Sequence, residues 1–385
     1  MYFGNSSNVS CEVEWANQAI TTAHILKRFP NNTLVHAAYD MRVVGRPLIY
    51  SIGIICNFLA IAVFSQRAFR RTSSCMILTA VAVADIFILT HGYFYWAEYD
   101  LLTPTLSHDE FTCKAVTFIE YFGPELSVFL LLLLGAERVL KAGHRDLHEK
   151  YFTPCRTAVA IVVLVMVLVL LNIPVLTAHI YLEDPCLGMV CWNILEHNGE
   201  EALNSTDKNY FLFYRYLVLT LYGLLPYVGL PLLNGWLYWI TRKQYRSFNE
   251  DNFERIPDPD HPHYEDEELL VHTQKLEHDK RELTRLVILV TASFCLLTMG
   301  YNIIQGHLYE IHNAKTEHKQ AVNAMIYSVF VLLFYLNHAS NFFLYCLSCK
   351  VYREELKDMI MRKTKKTKAV LTNTLLHTTS NDRLL

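Results

Sequence analysis

Charge is scarce in this chain. Asp, Glu, Lys and Arg make up 18% of its 385 residues, against about a quarter in soluble domains, which excludes an ordinary water-soluble globule. Met1 to Asp40 has no apolar h-region, so no cleavable secretion signal is expected. There are no internal repeats, no low-complexity segments inside the apolar runs, no paired mid-run charges and no broken helices. Transporters and channels tend to show such features, so that class is disfavoured. No nucleophile–base pair and no metal-ligand spacing occurs, which argues against an enzyme. His91, His307 and His338 are scattered and read as structural. No nucleic-acid partner is expected.

What the chain has is apolar length. Hydrophobic residues make 52% of it and gather into runs. A bilayer core of about 30 Å needs roughly 20 apolar residues in a helix. Pro47–Phe64, Met76–Trp96, Thr157–Thr177, Phe211–Ile240, Leu286–Leu308 and Ala321–Leu347 each qualify. A seventh run, Val116–Leu140, contains Glu120, Glu125, Glu137 and Arg138, but its centre, Leu126 to Ala136, is too apolar for a loop. The expected fold is an all-α integral membrane protein, a seven-transmembrane helix bundle with a short amphipathic helix after helix seven. The divisions are an extracellular segment over 1–41, the bundle over 42–347, a membrane-surface helix over 348–364 and a disordered cytoplasmic tail over 365–385.

The loops alternate in charge. Arg67, Arg70 and Arg71 follow helix one, whereas Glu98, Asp100, Asp109 and Glu110 follow helix two. Lys141, Arg145, Lys150 and Arg156 come next, then Glu183, Asp184, Glu196, Glu200, Glu201 and Asp207. The stretch after helix seven is basic, from Lys350 through Lys363, Lys365, Lys366 and Lys368. By the positive-inside rule the odd loops and the tail are cytoplasmic. Four glycosylation sequons, at Asn5, Asn8, Asn31 and Asn204, all fall on the side that this rule places outside.

The longest polar stretch between helices is Arg242–Arg285; its Pro- and acid-rich middle, Asn249–His263, lacks the apolar content to fold alone. Thr372–Leu385 reads as a phosphorylatable tail. Over Cys349–Lys363, Val351, Leu356, Met359 and Ile360 recur opposite Lys350, Arg353, Lys357 and Lys363, the pattern of a helix lying on the inner leaflet. Cys346 and Cys349 are candidate lipidation sites or plain thiols.

Ionisable groups at bilayer depth are expensive and therefore informative. Asp85 sits mid-run in helix two without a charged neighbour, and Asn57 lies in helix one. In helix seven, Asn337, Asn341 and Tyr345 recur at four-residue steps and share one stripe. At 100° per residue, Cys113, Glu120, Ser127 and Arg138 fall on one side of helix three. Glu120 and Arg138 are then roughly 27 Å apart, nearly the depth of the hydrocarbon core. One helix thus presents an acid at one mouth and an arginine at the other, as a device reporting across a membrane would require. Cys11, Cys113, Cys186 and Cys191 lie outside, where oxidation is possible. Cys113 is a partner for Cys186 or Cys191, and spacing does not choose between them.

Taken together these residues resemble the rhodopsin-like (class A) G-protein-coupled receptors, from helix one through the amphipathic helix. Asn57, Ala82-Val-Ala-Asp85, Cys113, Glu137-Arg138-Val139, Pro174, Pro226 and Asn341-Phe-Phe-Leu-Tyr345 carry the resemblance. Arg71-Thr-Ser-Ser-Cys-Met-Ile-Leu78 and the stretch Asn337 to Leu356 are similar to invertebrate FMRFamide-like neuropeptide receptors. There are departures. Phe342 stands at the helix-seven proline, Gly300 replaces the helix-six proline after Phe294-Cys-Leu-Leu-Thr-Met, and helix four lacks its tryptophan. Asn234 stands at a helix-five tyrosine, and Lys280 at the helix-six acid that locks the arginine.

The resemblance implies an extracellular peptide ligand, amidated and cationic, in a mouth lined by Glu120, Glu98, Tyr95, Trp96, Tyr301, Gln305 and Tyr327. It implies a switch of Glu137, Arg138, Asn234, Asn341 and Tyr345 facing a heterotrimeric G protein, with arrestin and a receptor kinase as further partners. Asp85, Ser127, Asn337 and Asn341 resemble the family's allosteric sodium site, the one cofactor expected. The implied location is the plasma membrane, multi-pass, with the N-terminus outside and membrane lipid as surroundings. The alternatives are a small-molecule chemosensory receptor on the same fold and, further off, a transporter or channel.

Overall fold

The computed structural model of the chain describes residues 29–67, 69–99, 101, 109–184, 188–193, 205–254, 264–306 and 316–361. Among these are seven helices long and apolar enough to cross a membrane. Helix one is Thr33–Phe64, helix two Ser73–Tyr99, helix three Glu110–Gly143 and helix four Pro154–Ala178. Helix five is the run from Ser205 to Glu254, apolar over Tyr216–Gln244. Helix six is Tyr264–Gly306 and helix seven Glu317–Ser348. The seven apolar windows are therefore seven helices, including the acid-interrupted third.

Helix one starts at Thr33, inside the segment that the sequence assigns to the N-terminal tail. Asn32 caps it, its side-chain oxygen accepting from the backbone N–H of Leu34 at 3.1 Å and Val35 at 3.4 Å. Two π-helical turns, Met41–Gly45 and Leu219–Leu224, each end two residues before a proline, Pro47 and Pro226. Proline lacks the N–H that its i−4 carbonyl would accept from, and its ring crowds that carbonyl. A widened turn just upstream absorbs the misfit.

The core concentrates in the half of the bundle that holds Arg138, around Phe64, Ile77, Val81, Leu130, Leu134 and Val290. Helix four, by contrast, exposes Val159, Val162, Met166 and Leu170, and helix five exposes Leu232, Trp236 and Trp239. Such surfaces are at rest only against lipid. One feature falls outside the helical expectation. The acidic loop after helix four contains an antiparallel hairpin, His179–Asp184 with Gly188–Asn193, in which Tyr181 pairs with Cys191. It packs on helix three. Its strands are six residues each, far too short to fill a membrane-length window, so the apolar runs gave no sign of it.

After helix seven a further helix runs over 350–361. Val351, Leu356 and Met359 pack on the core as their spacing predicts, while Ile360 stays exposed. The anchor is Tyr352, 1% exposed, whose ring lies 5.4 Å from Phe64, 5.6 Å from Tyr345 and 6.0 Å from Phe342. Phe342 thus uses the place of the missing proline for an aromatic contact, and helix seven continues through it. The Tyr352 hydroxyl has no hydrogen-bond partner among the described residues, where packing alone holds the side chain. Tyr352→Ala is expected to cost about 3 kcal/mol and Tyr352→Phe almost nothing, read as melting temperatures of the purified chain. Cys349 is buried and burial pushes its thiol up, an unfavourable setting for acylation.

Candidate functional site

At the hairpin end of the bundle, Glu120 projects from helix three and is exposed, seven residues on from Cys113, which is buried and disulfide-bonded. Cys186 and the side chain of Cys191 lie outside the described residues. Beside Glu120 stands Tyr335 of helix seven, which sequence reasoning passed over. Glu120, Arg46 and Tyr327 all act on it electrostatically, and its ring meets Tyr50 edge-on at 4.7 Å. Gly92 of helix two makes this possible. A Cβ there would meet Tyr335 at 2.8 Å and Tyr50 at 3.0 Å, so only glycine lets both rings cross the helix. Tyr301 joins through Phe334, with ring centroids at 4.4 Å and then 5.1 Å to Tyr335. Arg42 lies over Tyr327 at 5.8 Å.

Of the expected lining residues, then, Glu120, Tyr301 and Tyr327 converge on Tyr335. Tyr95 and Trp96 pack along helix two instead, Tyr95 on His91 at 6.2 Å and Trp96 on Tyr93 at 5.4 Å. The side chains of Glu98 and Gln305 lie outside the described residues, as do Asn5, Asn8 and Asn204; Asn31 is exposed. A second acid, Glu125, is 4% exposed and accepts from the Asn172 amide of helix four, whose oxygen accepts from Tyr214 of helix five at 3.4 Å. It ties three helices together below the mouth. The sequence signal was an acid and an amide inside two separate apolar windows, but their pairing is a tertiary fact.

At mid-depth, Asp85 is fully buried. One carboxylate oxygen accepts from Ser127 at 3.1 Å and faces His338 Nδ1 at 2.7 Å; the other accepts from Asn341 at 2.7 Å. Asn337 is buried nearby without a bond to Asp85, and Asn57 ties helix one to the His338 carbonyl at 2.9 Å. This set does not suit sodium. A sodium ion needs several oxygen donors, whereas three hydrogen-bonding groups already converge on the carboxylate, Asn341 offers its nitrogen, and an imidazole stands where an oxygen ligand is wanted.

At the opposite end, Glu137 is fully buried and Arg138 is 7% exposed; they pair at 3.4 Å. Glu137 also accepts from Ser73 at 2.6 Å and Ser74 at 2.7 Å, and meets His148 of the short helix Arg145–Tyr151 at 2.9 Å. Ser73, Ser74 and His148 were not foreseen as members. The Lys280 side chain lies outside the described residues, and the acid held by helix two and the short helix restrains Arg138 without it. Arg138 borders a cleft with Cys75, Leu78, Leu286, Cys349 and Tyr352. Asn234 donates to Thr291, Tyr227 bonds Thr298 at 2.6 Å and Asn302 donates to the Tyr227 hydroxyl at 2.6 Å, so three hydrogen bonds tie helices five and six. Tyr345 is buried between Phe64 and Tyr352. Hydrogen bonds to a charged acceptor contribute about 1.5–3 kcal/mol each. Ser73→Ala combined with Ser74→Ala should therefore lower the melting temperature of the purified chain, each serine taking about 1.5–3 kcal/mol with it.

A bundle of seven spanning helices, with an acid at one mouth and a restrained arginine at the other, has the layout of a membrane receptor. The family "7 transmembrane receptor (rhodopsin family)" matches residues 56–345, and the chain belongs to that family. It is therefore a multi-pass membrane receptor and not an enzyme. It is similar to the galanin-like G-protein coupled receptor npr-9 of Caenorhabditis elegans, 23% identical over 313 residues covering 80% of this chain and 70% of the relative. It is also similar to the N-arachidonyl glycine receptor of Macaca fascicularis, 26% identical over 169 residues covering 43% of this chain and 50% of the relative.

Proposed function

We propose that the chain is a plasma-membrane receptor for an extracellular cationic, amidated peptide of the FMRFamide-like kind, signalling through a heterotrimeric G protein. The observation that carries this is the exposed Glu120 within electrostatic reach of Tyr335, which Tyr327 also reaches and which Tyr301 joins through Phe334. A guanidinium of the peptide pairs with Glu120, and an aromatic amide lies against the rings. The likeness to a galanin-like receptor supports a peptide. The hairpin end faces outward and the Arg138 end faces the cytoplasm, in keeping with the charge pattern and the sequons. Ligand binding favours the bundle state in which helix six has left helix five, breaking the Asn234–Thr291 tie and opening the Arg138 cleft to the G protein. Arrestin and a receptor kinase act on the same face and on the tail.

A second reading, a small-molecule receptor, draws on the likeness to the N-arachidonyl glycine receptor over half that protein. Membranes carrying the chain and a labelled Arg-Phe-amide peptide separate the two. Displacement by amidated peptides, and not by their free acids, amines or volatile compounds, supports the peptide reading. Saturable binding of a small molecule with no peptide binding overturns it.

A further inference from the structure

We infer that Glu282 of helix six clasps the start of the helix over 350–361 and thereby holds the Arg138 cleft shut in the receptor without peptide. The inference rests on the reading that helix six moves when that cleft opens, and not on which ligand moves it. The Glu282 carboxylate accepts from the backbone N–H of Lys350 at 2.6 Å, across 68 positions of sequence. Lys350 is the first residue of its helix. A helix leaves its first N–H groups without partners inside it, and they form the positive end of its dipole. A carboxylate brought from another helix suits that end on both counts.

Position makes this bond a clasp. The cleft beside Arg138 is lined by Leu286 from helix six and by Cys349 and Tyr352 from the chain after helix seven. Glu282 lies one turn before Leu286, and Lys350 lies between Cys349 and Tyr352 in sequence. The bond therefore joins two walls of the cleft. One wall is fixed, since the Tyr352 ring is seated on Phe64 of helix one and Tyr345 of helix seven. Helix six is the wall that moves. Drawing Leu286 away from Tyr352 draws Glu282 away from Lys350, and beyond about 3.5 Å the hydrogen bond is gone. Glu282 and Lys280 are about 200° apart round helix six. The acid, shifted by two residues from the usual place, is thus turned to a different partner, a backbone N–H in place of a guanidinium.

Lys350→Pro tests the N–H itself. Proline suits the first position of a helix, and it needs an extended residue before it, as Cys349 is at φ −125° and ψ 110°. Lys350→Ala removes the side chain, and with it the exposed pair with Glu354 at 3.8 Å, but keeps the N–H. The reporter is Cys75, a buried thiol of helix two that lines the cleft from outside both substituted elements. The purified full chain in lipid nanodiscs, without peptide or G protein, is treated with a water-soluble maleimide, and Cys75 labelling is timed by mass spectrometry. A group reached only through opening reacts in proportion to the open population. Glu282→Ala and Lys350→Pro should each speed labelling about two- to tenfold, the equivalent of one hydrogen bond. Lys350→Ala should match wild type. The double variant should be no faster than the faster single, because both substitutions remove the same interaction. An unchanged rate in Glu282→Ala, or single effects that multiply in the double variant, overturns the inference. Nucleotide exchange on a promiscuous G protein, measured with the same Glu282→Ala chain, tests the reading beneath it. Faster labelling without faster exchange supports the clasp and overturns the reading that this cleft receives the G protein.

Discussion

Gly300→Ala is expected to remove most of the folded receptor from the cell surface, and Gly300→Ala combined with Phe330→Ala to restore much of it. A Cβ on residue 300 would stand 1.9 Å from one ring carbon of Phe330 and 2.0 Å from another, well inside any real contact. The ring of helix seven therefore lies flat on the backbone of helix six at this point. Forcing a methyl into a packed contact costs about 1–3 kcal/mol and sometimes more, against total stabilities of about 5–15 kcal/mol. Here the ring and the helix must both give way, so the upper end applies. Removing the ring should relieve most of the cost, with a coupling of about 0.5–3 kcal/mol between the two sites. Surface labelling and melting temperature read the result. A neutral Gly300→Ala would mean that helices six and seven do not approach as described.

The second large effect belongs to Glu120. Glu120 is exposed in the free chain, but a bound peptide would cover its pair with the guanidinium. Removing one partner of a pair buried in that way costs about 2–5 kcal/mol, and each 1.4 kcal/mol is tenfold. Glu120→Gln should thus shift the response to an Arg-Phe-amide peptide by about 30- to 3,000-fold at unchanged surface level. Replacing the peptide arginine by citrulline, which keeps the shape and loses the charge, should cost wild type a similar factor and Glu120→Gln much less. Equal losses on both receptors would place the guanidinium elsewhere.

The parts of this molecule that sequence made legible are those written in short-range patterns. Seven apolar windows became seven helices because the bilayer demands length, and length is local. The four-residue step of Asn337, Asn341 and Tyr345 placed all three inside the bundle for the same reason. Residues defined by distant partners stayed hidden. His338 looked like one of three scattered histidines until the fold set it 253 positions away in sequence from Asp85 and 2.7 Å away in space. Tyr335 gave no sign of being the residue on which Glu120, Tyr301 and Tyr327 converge. Gly300 read as a place for helix six to bend, and its role is instead the close approach of Phe330. Ser73 and Ser74 were quoted only as part of a family-like string, although they are half of what holds Glu137.

The most direct test of the account is a calcium readout in cells that display the full chain with a promiscuous G protein, challenged with a library of amidated peptides. The expected result is a saturable response to Arg-Phe-amide peptides that mock cells lack and that Glu120→Gln loses. Silence across the library with the chain confirmed at the surface, or an equal response from Glu120→Gln, would contradict it.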